Sequence, residues 1–208
     1  MTPFIVGIAG ASGSGKSSLA SELLAALNRR DPRSAVVLPL DAYYRDLGHM
    51  TFPERDQQNF DHPDALELEL VGAHLQALRA GSPVRAPVYD FSTHTRTPHT
   101  QLIPVAEIVI VEGILGLTDP ALVSLYDLSI FVEAPIEACL SRRLERDQRE
   151  RGRSEESVRR FWVERVLPMF EEFVAPARSC ADLTVDGTGA LSESVDQVLQ
   201  HLEATREG

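Results

Sequence analysis

The chain opens on a short run of β-branched and apolar residues, Phe4–Ala9 (FIVGIA), too brief for a helix and continuous enough for a strand buried on both faces. From Ser18 to Arg30 the leucines Leu19, Leu23, Leu24 and Leu27 recur at helical spacing, and Pro32 stands just beyond, where a helix must stop. Ala35–Leu40 repeats the strand pattern and ends at Asp41. A polar loop bearing aromatic residues runs to about Pro63, and Asp64–Ala80 reads as a helix closed by Gly81. Residues 83–104 hold four prolines and alternate in polarity, which predicts a hairpin or extended insert and not a layer of the main sheet. Ile108–Val111 and Leu128–Val132 are the third and fourth core strands, the third ending at Glu112-Gly113. A charged helix follows from about Ile136 to Arg149, Gly152 breaks it, and a second covers Glu155–Phe173 with a kink expected at Pro168. Leu183–Val185 supplies a short last strand and Leu191–Thr205 a closing helix. Strands alternating with helices predict an α/β fold, a five-stranded parallel sheet between two helical layers, with residues 1–208 as one domain.

Composition narrows the class. The 208 residues are 43% hydrophobic and 25% charged, globular proportions at a length whose core needs no metal or disulfide staple. The two cysteines, Cys139 and Cys180, stand apart without ligand spacing, which excludes a structural zinc site and suits a reducing compartment. No apolar stretch approaches a membrane span, and Phe4–Ala9 is too short, and lacks the basic flank, for a secretory signal. The expectation is a cytoplasmic protein with no membrane partner. A formal charge of −11 also speaks against nucleic acid as a partner, because a phosphate-binding face should be rich in Lys and Arg. That average conceals a local reversal: nine arginines face six acids between Arg142 and Arg165, which suggests a confined anion site. Nineteen of the 20 basic residues are arginine, and the single lysine is Lys16, a compact ammonium where every other cation is a planar fork.

Lys16 sits in Gly10-Ala11-Ser12-Gly13-Ser14-Gly15-Lys16-Ser17, the pattern G-x-x-x-x-G-K-S between a predicted strand and a predicted helix. Glycines let backbone N–H groups turn inward around an anion, and the helix N-terminus adds a favourable dipole. Lys16 can reach the β- and γ-phosphates, and the Ser17 hydroxyl, followed by Ser18, can ligate Mg²⁺. The ligand is a nucleoside triphosphate. A guanine-specific switch GTPase would carry D-x-x-G and later N-K-x-D; the nearest imitations, Asp186-Gly-Thr-Gly189 and Asn28-Arg-Arg-Asp31, occur in the reverse order.

Ligands of open α/β sheets lie beyond the carboxyl ends of the strands. Asp41 and Glu112 occupy such ends, so Asp41 is the candidate general base for an acceptor hydroxyl and Glu112 the candidate magnesium ligand, directly or through water. Asp61, beside His62 and Pro63, has two readings, a site residue or the start of the Asp64 helix. The arginines around Gly152 also have two: a solvated helix laced by Glu145, Asp147 and Glu150, or a lid over about residues 142–160 that neutralises transferring phosphate and excludes water.

Together these residues resemble the uridine kinase (uridine–cytidine kinase) family of P-loop kinases over nearly the whole chain. The resemblance rests on the phosphate loop together with Asp41-Ala-Tyr-Tyr-Arg45, Asn59-Phe-Asp-His-Pro-Asp-Ala65, Pro87-Val-Tyr-Asp-Phe91 with His94-Thr-Arg96, Val111-Glu-Gly-Ile-Leu115, and the run from Arg142 to Arg153. It implies transfer of a phosphoryl group from ATP, with GTP open as a second donor, to the 5′-hydroxyl of uridine and cytidine, with Mg²⁺ as cofactor. Asp41 would be the base, and Asp61 and Arg143 would hold the ribose 2′- and 3′-hydroxyls. Tyr89 and His94 would read the pyrimidine edge between the aromatic walls Tyr44 and Phe60, with Arg153 near the base. Lys16 and Arg146 would act in catalysis, and Arg146 and Arg151 would lie near the phosphates. The insert at 83–104 would be the hairpin that carries part of the nucleoside pocket, and relatives imply a homotetramer. Two departures stand out. Phe161-Trp162 replaces the usual Gln-Tyr, removing a polar side chain near the base and leaving open a phosphoribulokinase-like or pantothenate kinase-like acceptor. Asp186-Gly-Thr-Gly189 replaces Pro-Arg-Gly beside the adenine. A nucleotide-binding regulator without turnover is a third alternative, against which Lys16, Asp41 and Glu112 all stand intact.

Overall fold

The computed structural model describes residues 2–29 and 31–207. Its centre is a parallel sheet of five strands, β1 (Phe4–Gly10), β2 (Ala35–Pro39), β5 (Ile108–Glu112), β6 (Leu128–Glu133) and β7 (Leu183–Asp186), in the order β2-β5-β1-β6-β7. Each side of the sheet has its own apolar cluster because strand residues alternate between faces. Ile5 and Ala9 of β1 pack with Val109 and Val111 on one side, against α3 (Leu68–Arg79) through Val71, Leu75 and Leu78. Val6 and Ile8 pack with Ile110 and Ile130 on the other, against α1 (Lys16–Leu27) and the C-terminal helix Leu191–Glu207 through Leu19, Leu23, Val198 and Leu202. Arg30, the expected end of the first helix, lies outside the described residues. Among the described residues no helix is long and apolar enough to cross a membrane.

The insert is the expected hairpin, β3 (Val84–Asp90) and β4 (Thr95–Ile103), a separate antiparallel pair with a register irregularity between Pro87 and Tyr89. Arg96 fastens it to the turn after β2, donating from Nε to the Tyr44 carbonyl (2.8 Å) and from Nη2 to that of Tyr43 (3.2 Å) while pairing with Glu67 (3.0 Å).

Four local expectations need correction. The second strand stops at Pro39, and Asp41 sits on a 3₁₀ turn, Leu40–Tyr43. The helix expected from Asp64 begins at Leu68; Pro63–Ala65 is instead a 3₁₀ turn whose Asp64 N–H donates to His62 Nδ1 (3.1 Å). The loop before it contains a short helix, α2 (Phe52–Asp56), opened by a Thr51–Glu54 capping box. Finally, the helix expected over Glu155–Phe173 is not a regular α-helix on either side of Pro168. The segment begins as α6 (Glu155–Phe161) and continues through π turns at Trp162–Val166 and Phe170–Val174, which flank Leu167–Met169. Widened turns on both sides absorb the carbonyl that the proline ring would strike and the N–H it lacks.

Candidate active site

The loop between β1 and α1 takes backbone conformations open mainly to glycine: φ is 87° at Gly13 and 107° at Gly15. A side chain on Gly13 would strike the Cys139 carbonyl of α5 (Ile136–Arg151). The loop thus wraps the N-terminus of α1, where unpaired helix N–H groups and the dipole favour an anion. Ser14 is fully buried there, and its hydroxyl has no hydrogen-bond partner among the described residues.

Register brings the first carboxylate to this loop. β1 and β5 pair with Ile8 beside Glu112, so the end of β5 lies next to the phosphate loop. Glu112 Oε1 accepts from the Ser17 hydroxyl at 2.9 Å and lies 3.6 Å from Lys16 Nζ, both side chains of that ion pair being largely buried. A carboxylate and a hydroxyl at the mouth of an anion cradle are hard oxygen donors that suit Mg²⁺, which binds through few protein ligands plus phosphate and water. Among the described residues no cluster of three or more His, Cys, Asp or Glu forms a cage for a metal.

Two clefts meet at Lys16 and Arg146, which line both. One runs along Gly13, Gly15, Ser17 and Ser18 to Asp186, Gly187 and Gly189 beyond β7. It therefore contains the unusual Asp186–Gly189 turn. Gly10, Ala11 and Ser14 line neither cleft; Ala11 is buried against Cys139, Trp162 and Val166. Arg142, on α5, clips the two rims together, its Nη1 donating to the carbonyls of Gly13 (3.2 Å), Ser14 (3.2 Å) and Gly187 (2.9 Å). Sequence placed Arg142 only in an arginine run; nothing in its spacing shows that it bridges loops so distant along the chain.

The other cleft gathers the expected acceptor residues: Asp41, Tyr44, Phe60, Asp61, Tyr89, His94, Arg143 and Arg153, with Ser12 at its base. Asp61 lines this cleft with its Oδ1 3.7 Å from Arg143 Nη1, and it does not open a helix at Asp64, since that helix begins at Leu68. Tyr44 meets Phe60 edge-on (5.5 Å) and Tyr89 at a tilt (5.1 Å). Burial, then the neighbouring charges of Asp41 and Asp61, push its hydroxyl well above the usual phenol range. The Tyr89 hydroxyl is buried and has no hydrogen-bond partner among the described residues, and burial keeps it protonated as a donor. His94 stacks on Phe60 with ring centroids 4.9 Å apart and planes 17° apart. Burial, helped by the charge of Arg153, lowers its pKa below 6.5 and keeps the imidazole neutral at neutral pH.

Arg151 departs from expectation, lining the acceptor cleft and not the phosphate cleft, with its guanidinium 5.4 Å from the Phe91 ring centroid. Phe161 and Trp162 part company: Phe161 lines the acceptor cleft, whereas Trp162 turns into the core beneath the phosphate loop. Arg165 lies 4.7 Å over Phe161 and ties α6's continuation to the α2 segment through the Asp56 and Gln58 carbonyls (3.4 and 3.2 Å). Sequence reasoning missed Asp56, Gln58 and Arg165 as lining residues. The Thr51-x-x-Glu54 signature could have located α2 and with it Asp56, and Arg165 stands four residues after Phe161, a helical spacing that puts both on one face.

A phosphate cradle and an acceptor cleft joined at one lysine on a parallel sheet define the P-loop kinase class. The chain belongs to the phosphoribulokinase / uridine kinase family, which it matches over residues 5–191. It is 44% identical over 204 residues to a uridine kinase of Shewanella piezotolerans, covering 96% of each chain. To a uridine kinase of Klebsiella pneumoniae it is 43% identical over 193 residues, covering 92% of this chain and 91% of that one. The fold also superposes on phosphoribulokinase from Rhodobacter spheroides with a TM-score of 0.68 at 18% identity, covering 90% of this chain and 73% of that one.

Proposed function

We propose that the protein transfers the γ-phosphoryl group of ATP to the 5′-hydroxyl of uridine and cytidine, giving UMP and CMP. The observation that carries this reading is the shared cleft: Asp41 and the Asp61–Arg143 pair line one side, and Lys16 and Arg146 stand where it opens onto the phosphate loop. Asp61 accepts hydrogen bonds from the ribose 2′- and 3′-hydroxyls, with Arg143 fixing its orientation. The base lies against the aromatic wall that Tyr44 and Phe60 form together, where the Tyr89 hydroxyl, unpaired among the described residues, and neutral His94 meet its polar edge. Asp41 takes the 5′-hydroxyl proton as that oxygen attacks the γ-phosphorus; the new O–P bond forms while the bond to the β–γ bridging oxygen breaks, and ADP leaves. Backbone N–H groups of Gly13–Ser18, with Lys16 and Arg146, stabilise the charge that develops. Ser17 and Glu112 would hold Mg²⁺, which when bound neutralises the β- and γ-phosphate oxygens. The segment from Arg142 through the Gly152 hinge, where φ is 62°, to about residue 160 acts as the lid that excludes water. The same reading takes the chain as one domain, cytoplasmic and homotetrameric.

A coupled assay of ADP release tests it. Wild-type protein should turn over uridine and cytidine, and Asp41→Asn should lower kcat by about 10²- to 10⁴-fold with ATP affinity unchanged. Near-normal turnover by that variant would remove Asp41 from the role of base, and inactivity of the wild type on both nucleosides would overturn the substrate.

A further inference from the structure

The mechanism above leaves a fully buried carboxylate unused. Asp147, on α5, has no exposed surface and is surrounded by arginines from both sides of the Gly152 hinge. Its two carboxylate oxygens divide them. Oδ1 accepts from Arg146 Nε (2.9 Å) and Nη2 (2.8 Å) and lies 3.6 Å from Arg151 Nη1. Oδ2 lies 3.7 Å from Arg143 Nε and 3.5 Å from Arg153 Nη1. The main chain of the same residue closes the helix, its carbonyl accepting from the N–H groups of Gly152 and Arg153.

A surface ion pair needs none of this. An exposed carboxylate contributes little and holds one partner loosely, whereas a buried one is retained only when its charge is matched and its oxygens are occupied. Burial opposes ionisation of Asp147, but the charges of Arg146 and Arg151 outweigh it and hold the carboxyl below its usual range. The four guanidiniums differ in what else they reach. Arg146 lines both clefts, Arg143 pairs with Asp61, and Arg151 and Arg153 face the acceptor side over Phe91 and Phe161. Without a common anion, four like charges this close would splay apart.

We propose that Asp147 is a positioning residue for phosphoryl transfer, a single buried carboxylate that holds the phosphate-facing Arg146 and the acceptor-facing Arg143, Arg151 and Arg153 as one rigid unit. The unit links Asp61, through Arg143 and Asp147, to Arg146 at the junction of the clefts. An acceptor that settles on Asp61 thereby fixes the guanidinium that meets the transferring group. This role rests on the reading of the two clefts as phosphate and acceptor sites, but not on the acceptor's being a pyrimidine nucleoside.

The test is a cycle of Asp147→Asn and Arg146→Gln, read as kcat/KM with uridine and as affinity for a fluorescent ATP analogue. Asp147→Asn keeps the shape and one acceptor oxygen, while removing the charge and turning the second acceptor into a donor that faces guanidinium N–H groups. It should lower kcat/KM by about 30- to 100-fold, most of it in kcat, because a displaced catalytic group costs rate more than binding. In the Arg146→Gln background the further loss should shrink to about threefold or less, since a residue that acts through Arg146 has little left to position. A purely structural Asp147 would give equal losses in both backgrounds, tracking Tm, and that result overturns the proposal, as would a single variant within about twofold of wild type. If Asp147→Asn does not fold, Asp147→Asn/Arg151→Gln removes one charge of each sign and is compared with Arg151→Gln alone under the same criteria. Should wild-type protein ignore uridine, the acceptor assignment fails by itself, and the cycle is read on analogue affinity, where the same non-additivity is expected.

Discussion

His94 shows how much a single residue can be asked to do. Among the described residues it is the only non-glycine with positive φ (53°), a conformation that costs an L-residue energy and persists where surrounding structure enforces it. Its ring stacks on Phe60, and Asp56 Oδ1 lies 3.7 Å from Nε2. The lowered pKa has a consequence for stability, shared with His74, whose pKa burial also lowers. Above pH 6.5 both rings are neutral whether the chain is folded or not, so they contribute nothing to pH dependence there. As pH falls through 6.5 the unfolded chain takes up protons that the folded rings resist, and stability is lost until the depressed folded values are reached. Thermal unfolding should therefore show Tm falling as the pH drops through 6.5, with a shallower fall in His74→Gln/His94→Gln. Equal slopes for variant and wild type would assign the acid sensitivity to other groups.

Among the elements, strands were the most legible. FIVGIA, AVVLP and IVIV are continuous apolar runs that read as strands buried from both sides, and each became a strand of the main sheet within a residue or two of expectation. The hairpin was legible for the opposite reason, since prolines and alternating polarity bar it from a central sheet. What periodicity cannot express is a change of helical pitch: residues 155–173 have helical spacing, yet π turns at Trp162–Val166 and Phe170–Val174 interrupt the α-helix. The docking of the hairpin was equally silent, because Arg96 acts through carbonyls that any residue could supply. That docking gives a prediction on this scale. Arg96→Gln removes two charged hydrogen bonds to the Tyr43–Tyr44 turn and the pair with Glu67, so Tyr44, Tyr89 and His94 lose their common frame. KM for uridine should rise about 5- to 10-fold, from hydrogen bonds of this kind, with ATP affinity unchanged. A parallel weakening of ATP binding would show that the hairpin also governs the phosphate side.

Across the whole molecule the sheet does the placing. Register sets Glu112 beside the phosphate loop, the 3₁₀ turn after β2 carries Asp41 to the acceptor side, and α5 spans both clefts with its arginines. Motifs pointed to the charged and aromatic residues such as Asp61, Tyr89 and Arg143 that line the acceptor cleft, but not to Asp56, Gln58 or Arg165, and they could not say that Arg142 belongs to the nucleotide side, because the carbonyls it joins lie 129, 128 and 45 positions away. Arg142 is exposed and touches only backbone, so its contribution is geometric: three carbonyls drawn to one guanidinium turn the N–H groups of the phosphate loop toward the cleft, and the Gly187 turn is held as the far wall. Removing the clip should loosen the cradle without disturbing the acceptor pocket, whose residues Arg142 does not contact. Arg142→Gln is accordingly expected to weaken binding of Mg-ATP about 10-fold by calorimetry, the scale of charged hydrogen bonds lost, with KM for uridine within about twofold of wild type. If instead both substrates weakened together, the two clefts would be one mechanical unit on this side as well, and the clip would belong to the lid and not to the nucleotide wall.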